Sequence, residues 1–231
     1  MKKIHRFFVT TPYPTTGEIT ISEKELVHQM YSVLKFKMDD TFALFWNGSP
    51  DVLIQIKNIS KKELSGTILE TKDISTTPFK KITAILSITK GDTFDMTIQK
   101  LTEIGIDTIV PIVSDRTIKQ KTNIDRLKKI STEALEQCGG NVLPTITEIE
   151  TLEQVLKEYS NTDMVVYDTY QDGDTQESLK NKTIILIGPE GGWSEREQNI
   201  FREKGITIGS LGSRIYRAET AAIIAAYLQI W

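Results

Sequence analysis

Two glycine-rich loops near the C-terminus carry the residue types best suited to binding a small molecule. The first, Gly188–Gly192, follows the apolar run Ile184–Ile187, and the second, Ser210–Arg217, follows Ile206–Ile208. Glycine lets the backbone approach a ligand closely and adopt positive φ. Neither loop is a known phosphate cradle, because G-x-G-x-x-G does not occur after Ile187 and G-x-x-x-x-G-K-[ST] is absent from the chain. The residues therefore predict a small-molecule cleft of a different geometry.

Charged side chains flank the two loops. Arg214 and Arg217 both lie in the second loop. Two guanidinium groups so close to an expected ligand suit the placement of a polyanion or the stabilisation of developing negative charge. Glu219 and Thr220 follow at a predicted helix start. Arg116 follows the end of an earlier predicted strand, a usual place for site residues in an open α/β sheet.

A second set of candidates lies near the N-terminus and suits contact with RNA. His5, Arg6, Phe7 and Phe8 combine a cation with aromatic rings, groups that meet phosphates and bases in RNA complexes. Strand alternation would instead point Phe7 or Phe8 into a core, and we favour that reading for the rings. Arg6 is the better candidate for RNA. Lys35 either extends this surface or is a solvated helix end.

The charge distribution gives a local signal for nucleic acid, not a global one. The 28 Lys and Arg residues against 31 Asp and Glu give a net charge of −3. Residues 115–129, however, hold six basic residues and two acids, a local patch that can bind phosphate. A solvated helix face explains the same run equally well. Lys100 and Glu103 lie three apart on one helix face, where a surface ion pair is the simpler explanation.

Composition excludes several classes of protein. Cys138 is the single cysteine, so an internal disulfide is excluded, and no Cys/His cluster with zinc-ligand spacing occurs. No apolar run approaches the roughly 20 residues of a membrane span, and the N-terminus lacks a signal-peptide pattern. We expect a cytoplasmic protein without structural metal.

Short predicted strands dominate residues 1–72 and indicate a small β-barrel domain. Ser22-x-x-Glu25 predicts a capping box that opens a helix. Its apolar stripe is predicted to consist of Leu26, Met30, Val33 and Leu34. The stretch Thr71–Lys81 is the predicted linker to the second domain, residues 73–231.

Alternating strands and helices in residues 73–231 predict an α/β domain with a mostly parallel sheet and helices on both faces. One strand, Ile106–Val110, is expected to stop at Pro111. A second capping box, Ser194-x-x-Glu197, opens the helix after the first glycine loop. The final predicted helix covers Ala218–Ile230.

The assembled motifs resemble the uridine-N3 methyltransferases of 16S ribosomal RNA, the RsmE type of the SPOUT superfamily. The matching motifs are H-R-F-F at 5–8, V-L-K at 33–35, F-W-N-G at 45–48, K-G-D at 90–92, I-Q-K-L-T-E-I-G-I at 98–106, P-I-V-S-D-R at 111–116, E-A-L-E-Q-C-G at 133–139, I-G-P-E-G-G at 187–192 and L-G-S-R-I-Y-R-A-E-T-A at 211–221. The last two are highly specific in combination. The chain departs from the pattern at Lys35 and Gly140, where arginine is usual, and at Asp39-Asp40, which replaces Gly-Asp.

The resemblance implies a PUA-like β-barrel that binds RNA (residues 1–72) and a SPOUT methyltransferase domain with a trefoil knot (residues 73–231). It also implies a homodimer, S-adenosylmethionine as cofactor and the small ribosomal subunit as partner. The implied cofactor contacts are Ile187, Gly188, Pro189, Gly191, Gly192, Ser210, Leu211, Gly212, Ile215, Tyr216, Ala218 and Thr220. The implied RNA contacts are His5, Arg6, Lys35, Lys100, Arg116 and Arg214.

The implied reaction assigns roles to three charged residues. The uracil N3 is protonated at neutral pH, so an enzyme must remove that proton or stabilise the resulting anion, and must hold N3 in line with the methyl group. Our hypothesis gives anion stabilisation and RNA placement to Arg217, assisted by Arg116. Glu219 is a candidate base, or alternatively an organiser of the helix start. The target base must be unpaired or flipped to reach the site.

Two other functions stay open at this point. A knotted methyltransferase that acts on a tRNA ribose 2′-hydroxyl would share the cofactor fold. An RNA-binding ribosome-assembly factor without catalytic activity is an alternative of a different class, although the intact glycine loops and Arg217 speak against it.

Overall fold

A five-stranded sheet forms the N-terminal part of the chain. The computed structural model describes residues 4–74, 78–118, 121–160, 162–168 and 182–231. The strands of this sheet are β1 (His5–Phe8), β2 (Glu18–Ile21), β3 (Thr41–Phe45), β4 (Asp51–Ile59) and β5 (Leu64–Lys72). They pair in the order β1-β3-β4-β5-β2. The β1–β3 pair is parallel and the others are antiparallel, which gives a small barrel-like sheet.

The helix of this first unit differs from its prediction. Helix α1 (Lys24–His28) passes directly into a π-helical turn, Gln29–Val33. No side chain caps the N-terminus of α1, so the predicted capping box at Ser22 is wrong. A π-helical turn holds more residues than an α-helical turn and shifts the apolar stripe. As a result Val27 is fully buried, whereas Val33 is 62% exposed.

Arg6 is held inside the first unit by an ion pair and by backbone carbonyls. Its Nε and Nη2 pair with the Asp51 carboxylate at 2.8 and 2.9 Å, and its Nη1 and Nη2 donate to the carbonyls of Leu135 (3.2 Å) and Gly140 (2.9 Å). The guanidinium carbon lies 4.1 Å from the centroid of the Phe45 ring, and the side chain is only 11% exposed. These partners occupy most of its donors, so Arg6 has a structural role in the first unit, and its RNA contact stays a prediction.

The segment Leu135–Val142 groups with the N-terminal residues Met1–Thr77. Asn141 explains part of this grouping, because its Nδ2 donates to the carbonyl of Ser49 and its own carbonyl accepts from the amide of Gly48, both at 2.8 Å. The boundary predicted at residue 72 assigned this segment to the second domain. Hydrogen bonds between residues about ninety positions apart are not visible in a local sequence pattern.

Two departures from the family pattern have left-handed backbone. Lys35 has φ 55° and Asp39 has φ 68°. Aspartate tolerates this conformation better than most side chains, because its short polar group bonds locally. Asp39 therefore occupies a position whose backbone geometry favours the glycine that is usual there.

The second unit consists of Pro78–Ala134 and Leu143–Trp231. Its described strands are β6 (Thr83–Ser87), β7 (Thr108–Val113), β8 (Thr145–Ile146), β9 (Glu150–Thr151), β10 (Met164–Tyr167), β11 (Ile184–Ile187) and β12 (Thr207–Gly209). The described helices are α2 (Thr93–Ile104), α3 (Ile124–Cys138), α4 (Leu152–Glu158), α5 (Glu195–Glu203) and α6 (Ala218–Ile230). The last residues of α3 belong to the first unit.

A parallel sheet organises the second unit, as predicted. The strand order is β12-β10-β11-β6-β7-β8, with β9 also paired to β7, and every pair in the described residues is parallel. Residues of β6 alternate between two apolar cores. Ala84 and Leu86 face a core that contains residues of α2 and α6, and Ile85 faces a core that contains residues of α4 and α5. Both faces are covered by helices.

Strand β7 continues through Pro111, so the prediction that this strand stops there is wrong. Pro111 is in register with Leu86 of β6. On the other side of β7, β8 pairs with Thr108 and Ile109, and β9 pairs with Ile112 and Val113. Pro111 lies in the gap between these two short strands. A proline without an amide hydrogen is tolerated where the ladder has no acceptor to serve.

Candidate functional site

A cavity of about 500 Å³ opens at the carboxyl ends of β10 and β11 and at the start of α6. The first glycine loop and the last residues of the second loop both contribute to its lining. The lining residues are Thr93, Tyr167, Asp168, Ile187, Gly188, Pro189, Glu190, Gly191, Gly192, Trp193, Ile215, Tyr216, Arg217, Ala218, Glu219 and Ala221. Clefts outside the carboxyl ends of parallel strands are where α/β sheets bind ligands. The volume lies in the range of small-molecule and cofactor sites.

Trp193 directly follows the first glycine loop, Gly188–Gly192, and fixes the end of that loop. Its ring is 2% exposed and packs edge-on against Phe201 of α5, with the ring centroids 5.1 Å apart. The indole Nε1 donates to the carbonyl of Tyr167, the last residue of β10, at 3.1 Å. A Cβ placed on Gly188 would lie 3.1 Å from this ring, so glycine is needed there for close packing.

Two further bonds hold the same loop from neighbouring strand ends. The Glu190 carboxylate accepts from the amide of Lys90, which follows β6, at 2.9 Å. The Arg116 Nη1 donates to the Gly191 carbonyl at 2.8 Å. A Cβ on Gly191 would lie 3.5 Å from the Arg116 side chain, so the guanidinium and its stem lie along the loop. The first glycine loop is thus held from the ends of β6, β7 and β10.

The loop that carries Arg116 is itself a tight turn. The amide of Thr117 donates to the carbonyl of Ser114 at 3.0 Å, and the Thr117 hydroxyl accepts from the Ser114 amide at 2.9 Å. The Ser114 hydroxyl also bonds the Ser87 hydroxyl at the end of β6, at 2.9 Å. The backbone around Arg116 is therefore fixed on both sides.

Glu197 joins the turn after β7 to the helix after the first glycine loop. The predicted capping box is confirmed: the Ser194 hydroxyl accepts from the Glu197 amide, and the Glu197 Oε2 accepts from the Ser194 amide at 2.8 Å. The other carboxylate oxygen, Oε1, accepts from the amide of Asp115 at 2.9 Å. The Glu197 side chain is fully buried, and its charge is stabilised by these two amides and by the helix N-terminus.

Asp115 is the centre of an exposed ion-pair network. Arg196 binds both oxygens of its carboxylate, at 2.6 and 3.0 Å, and the Ser194 hydroxyl donates to one of them. Arg196 also pairs with Glu153 of α4 at 2.7 Å. The hydrogen bonds from Arg196, and from Ser194 in the case of Asp115, lower the pKa values of the Asp115 and Glu153 carboxyls. Both carboxylates are therefore ionised at neutral pH.

The cavity is acidic. Three of its lining residues carry carboxylates, Asp168, Glu190 and Glu219, against one guanidinium, that of Arg217. Asp168 is oriented by Gln198 of α5, whose Nε2 donates to it at 3.0 Å. Arg217 is the exposed N-cap residue of α6, and Glu219 lies in the first turn of that helix. A cationic ligand suits this lining better than a polyanion does.

The structure brings together most of the predicted cofactor contacts. Those that line the cavity are Ile187, Gly188, Pro189, Gly191, Gly192, Ile215, Tyr216 and Ala218. Ser210, Leu211, Gly212 and Thr220 are not among its lining residues. Leu211 instead packs against the apolar core. Of the three candidate catalytic residues, Arg217 and Glu219 line the cavity, whereas Arg116 reaches it through the Gly191 carbonyl.

The other predicted RNA residues lie elsewhere. Lys100 pairs with Glu103 at 2.9 Å, as its spacing suggested. His5 and Lys35 are exposed residues of the first unit, and Arg214 is exposed in the second glycine loop. No cluster of three or more possible metal ligands occurs in the described residues. None of the described helices is long and apolar enough to cross a membrane.

Sequence reasoning missed Thr93, Tyr167, Asp168, Trp193 and Ala221 as lining residues. A usable signal existed for Tyr167 and Asp168, because the apolar run Met164–Val166 directly precedes them and strand ends of parallel sheets meet at one edge. Thr93 and Ala221 lie on helices, where no comparable signal marks them.

Comparisons with known proteins identify the relatives of this chain. The model of the RNA methyltransferase domain family matches residues 75–229. The chain is 31% identical to ribosomal RNA small subunit methyltransferase E of Rickettsia conorii, over 96% of this chain and 93% of that protein. It is 28% identical to the protein of the same name from Bacillus subtilis, over 87% and 85%.

A solved structure supports the same relation. The ribosomal RNA small subunit methyltransferase E of Neisseria gonorrhoeae, bound to S-adenosyl methionine, superimposes with a TM-score of 0.86 at 26% identity. The match covers 97% of this chain and 95% of that one, so both units of the fold are shared.

Proposed function

The chain belongs to the RNA methyltransferase family that includes the ribosomal RNA small subunit methyltransferases E, and from this membership we propose that it methylates N3 of a specific uridine in 16S rRNA. The methyl donor is S-adenosylmethionine, the molecule bound in the Neisseria gonorrhoeae relative. The observation that carries the proposal is the acidic cavity between the two glycine loops.

The residues present fit this cofactor. Bound S-adenosylmethionine supplies a methyl group on a positively charged sulfur and carries no phosphate. The cavity offers three carboxylates against one guanidinium, and neither glycine loop has a phosphate-binding motif. The first glycine loop presents backbone amides and carbonyls, with Gly192 at φ 68°, so recognition by main-chain groups requires glycine there. Ile187, Gly188, Gly191, Tyr216 and Ala218 would hold the cofactor.

Arg217 is the residue proposed to act on the base. Removing the N3 proton places negative charge on the uracil ring and its flanking carbonyl oxygens. A guanidinium at the cavity edge stabilises such charge and orients the ring. Glu219, in the first turn of α6, is the candidate proton acceptor or the organiser of the start of that helix. Arg116 assists by holding the Gly191 carbonyl.

Replacing Arg217 tests this assignment. We expect Arg217→Ala to lower kcat for RNA methylation by about 100-fold, the usual cost of losing a preorganised group that stabilises developing charge. Binding of S-adenosylmethionine, measured by calorimetry, should be unchanged. Arg202→Ala, a substitution of an exposed arginine of α5, is the matched control. Methylation by Arg217→Ala at the wild-type rate would remove Arg217 from the mechanism.

The nucleoside product tests the function itself. Small-subunit rRNA and, in a separate reaction, tRNA from cells lacking the protein are incubated with the purified chain and S-adenosylmethionine, and the digested nucleosides are identified by mass spectrometry. The expected product is 3-methyluridine. A 2′-O-methylated ribose in tRNA would favour the ribose methyltransferase instead. Cofactor binding without any methylated product would indicate an RNA-binding assembly factor.

Finer features of the architecture follow as proposals from the same family. They are a trefoil knot around the glycine loops, a PUA-like first domain that binds RNA through His5 and Lys35, a homodimer and a cytoplasmic location beside the ribosomal subunits. Insertion of β11 between β10 and β6 supports the knot. Exposed Tyr227, Leu228 and Trp231 on and after α6 support the dimer, which analytical ultracentrifugation tests.

A further inference from the structure

Glu197 is a buried charge that the proposed chemistry does not use. It lies on α5, outside the lining of the cavity, and its side chain is fully buried. Burial of a carboxylate is costly unless hydrogen bonds stabilise the charge. An ordinary capping box needs only one carboxylate oxygen, which here serves Ser194. The second oxygen reaches the amide of Asp115, 82 positions earlier in the chain.

That second bond joins the turn after β7 to the start of α5, the helix that follows the first glycine loop. The turn with Asp115 and Arg116 follows β7, and the first glycine loop follows β11, while β6 lies between these strands in the sheet. The same turn contacts the first glycine loop itself where Arg116 donates to the Gly191 carbonyl at 2.8 Å. The turn is thus held at two points, at the buried Glu197 of α5 and, on the cavity side, at Gly191.

The exposed hydrogen bonds of Asp115 reinforce its buried bond to Glu197. Ser194 and Arg196, which shortly precede Glu197 in sequence, both donate to the Asp115 carboxylate, while Glu197 accepts from the Asp115 amide. The backbone and the side chain of Asp115 are therefore fixed by the same turn of α5. Because Arg116 is the next residue, the direction of its side chain depends on this anchor.

We propose that Glu197 is a positioning residue for methyl transfer, which acts by holding the Arg116 turn against the first glycine loop so that Gly191 keeps the backbone geometry of the cofactor cavity. This inference rests on the proposed function. It assigns no contact with cofactor or RNA to Glu197. It predicts that Glu197 and Arg116 act through one shared element, the Gly191 backbone.

The test is a double-mutant cycle read by calorimetric titration of the full chain with S-adenosylmethionine. Glu197→Gln keeps the size of the side chain but replaces one accepting oxygen by an NH2 group. That donor faces a backbone N–H, so one of the two hydrogen bonds is lost. The Kd of this variant should rise about tenfold, because displacement of a binding loop is costly. Arg116→Met should give a rise of similar size. The double variant should bind no more weakly than the worse single variant, since both break the same link.

A matched control separates positioning from charge. Glu195→Gln removes the same charge two residues earlier, at an exposed position of the same helix, and should leave the Kd unchanged. In turnover assays, Glu197→Gln should raise KM for S-adenosylmethionine and leave KM for RNA unchanged. If Glu197→Gln fails to fold, Arg196→Met breaks the Asp115 anchor at a side chain that is 53% exposed, and should raise the Kd in the same direction.

Three results would decide against the inference. Wild-type affinity in folded Glu197→Gln would overturn it, as would full additivity of Glu197→Gln and Arg116→Met. Wild-type affinity in Arg196→Met would overturn it where Glu197→Gln does not fold. If the wild-type chain itself fails to bind S-adenosylmethionine, the proposed function is wrong as well, and the wild-type titration identifies that case.

Discussion

The two glycine loops line one cavity but are held in different ways. The first, Gly188–Gly192, is bonded to Lys90 and Arg116, which follow two other strands. The adjoining Trp193 is bonded to Tyr167 at the end of a third strand. The second, Ser210–Arg217, forms its described hydrogen bonds within itself and to the first turn of α6, and Ile215 is 76% exposed. One wall is therefore preorganised by distant residues, and the other is shaped by its own backbone. A rigid wall suits a small cofactor, and an open wall with Arg214 and Arg217 suits a large substrate.

The largest effect is expected when the buried Trp193 ring, which packs against the first loop, is removed. We expect Trp193→Ala to lower the free energy of unfolding by about 3–5 kcal/mol, because it deletes a buried aromatic side chain and leaves a cavity. Denaturant unfolding measures the change. Trp231→Ala is the control: Trp231 is 52% exposed, and the cost should be far smaller. Equal costs for the two would contradict the account of Trp193 as an anchor.

A smaller effect is expected when the first loop is pushed away from that ring. In Gly188→Ala the new Cβ lies 3.1 Å from Trp193, so overpacking should cost about 1–3 kcal/mol of unfolding free energy. In a Trp193→Phe background the smaller ring should reduce this cost. If the cost is the same in both backgrounds, contact with Trp193 is not its cause.

The second loop should respond to a glycine substitution for a different reason. Gly212 has φ 110° and no atom within 4 Å of an added Cβ. Gly212→Ala should therefore cost about 1 kcal/mol through backbone strain alone. This cost should not depend on any neighbouring substitution. Ser213→Ala, the adjacent control, should be neutral in the same unfolding assay.

The smallest effect concerns pH, and it acts through the ion pairs between Arg196 of α5, Asp115 and Glu153. Arg196 lowers the pKa values of Asp115 and Glu153 below their ordinary 3.8 and 4.5. Their contribution to folding is therefore present above these ordinary values and is lost as pH falls through the lowered ones. Arg196→Met should be less stable than wild type at neutral pH, and this difference should vanish in strong acid. A difference that persists there would exclude the ion pairs as its origin.

Two capping-box motifs show how much of the fold a local sequence pattern can predict. Ser194-x-x-Glu197 forms the predicted box because a nine-residue helix follows and a buried anchor holds its start. Ser22-x-x-Glu25 has the same local pattern but opens a five-residue helix that passes into a π-helical turn. Local propensity predicts both alike, and tertiary packing decides between them.

The residues of the candidate site also differ in whether a local sequence pattern could predict them. Gly188, Gly191 and Arg217 were predictable, because unusual glycine density and paired arginines are local signals. The structural role of Arg6 and the second bond of Glu197 were not, because their partners lie 45 to 134 and 82 positions away. Sequence patterns identify which segments meet at a parallel sheet edge, and contacts between those segments need coordinates.

The position of β11 in the sheet has a consequence for how the chain folds. It pairs with β6 on one side, and its residues lie about a hundred positions after their β6 partners. Closing so long a loop carries a large entropic cost before any contact repays it, which slows folding. During synthesis, β6 and β10 can each form with an open edge, but the centre of the sheet stays incomplete until Ile184–Ile187 leaves the ribosome. The cavity is therefore among the last parts of the molecule to form.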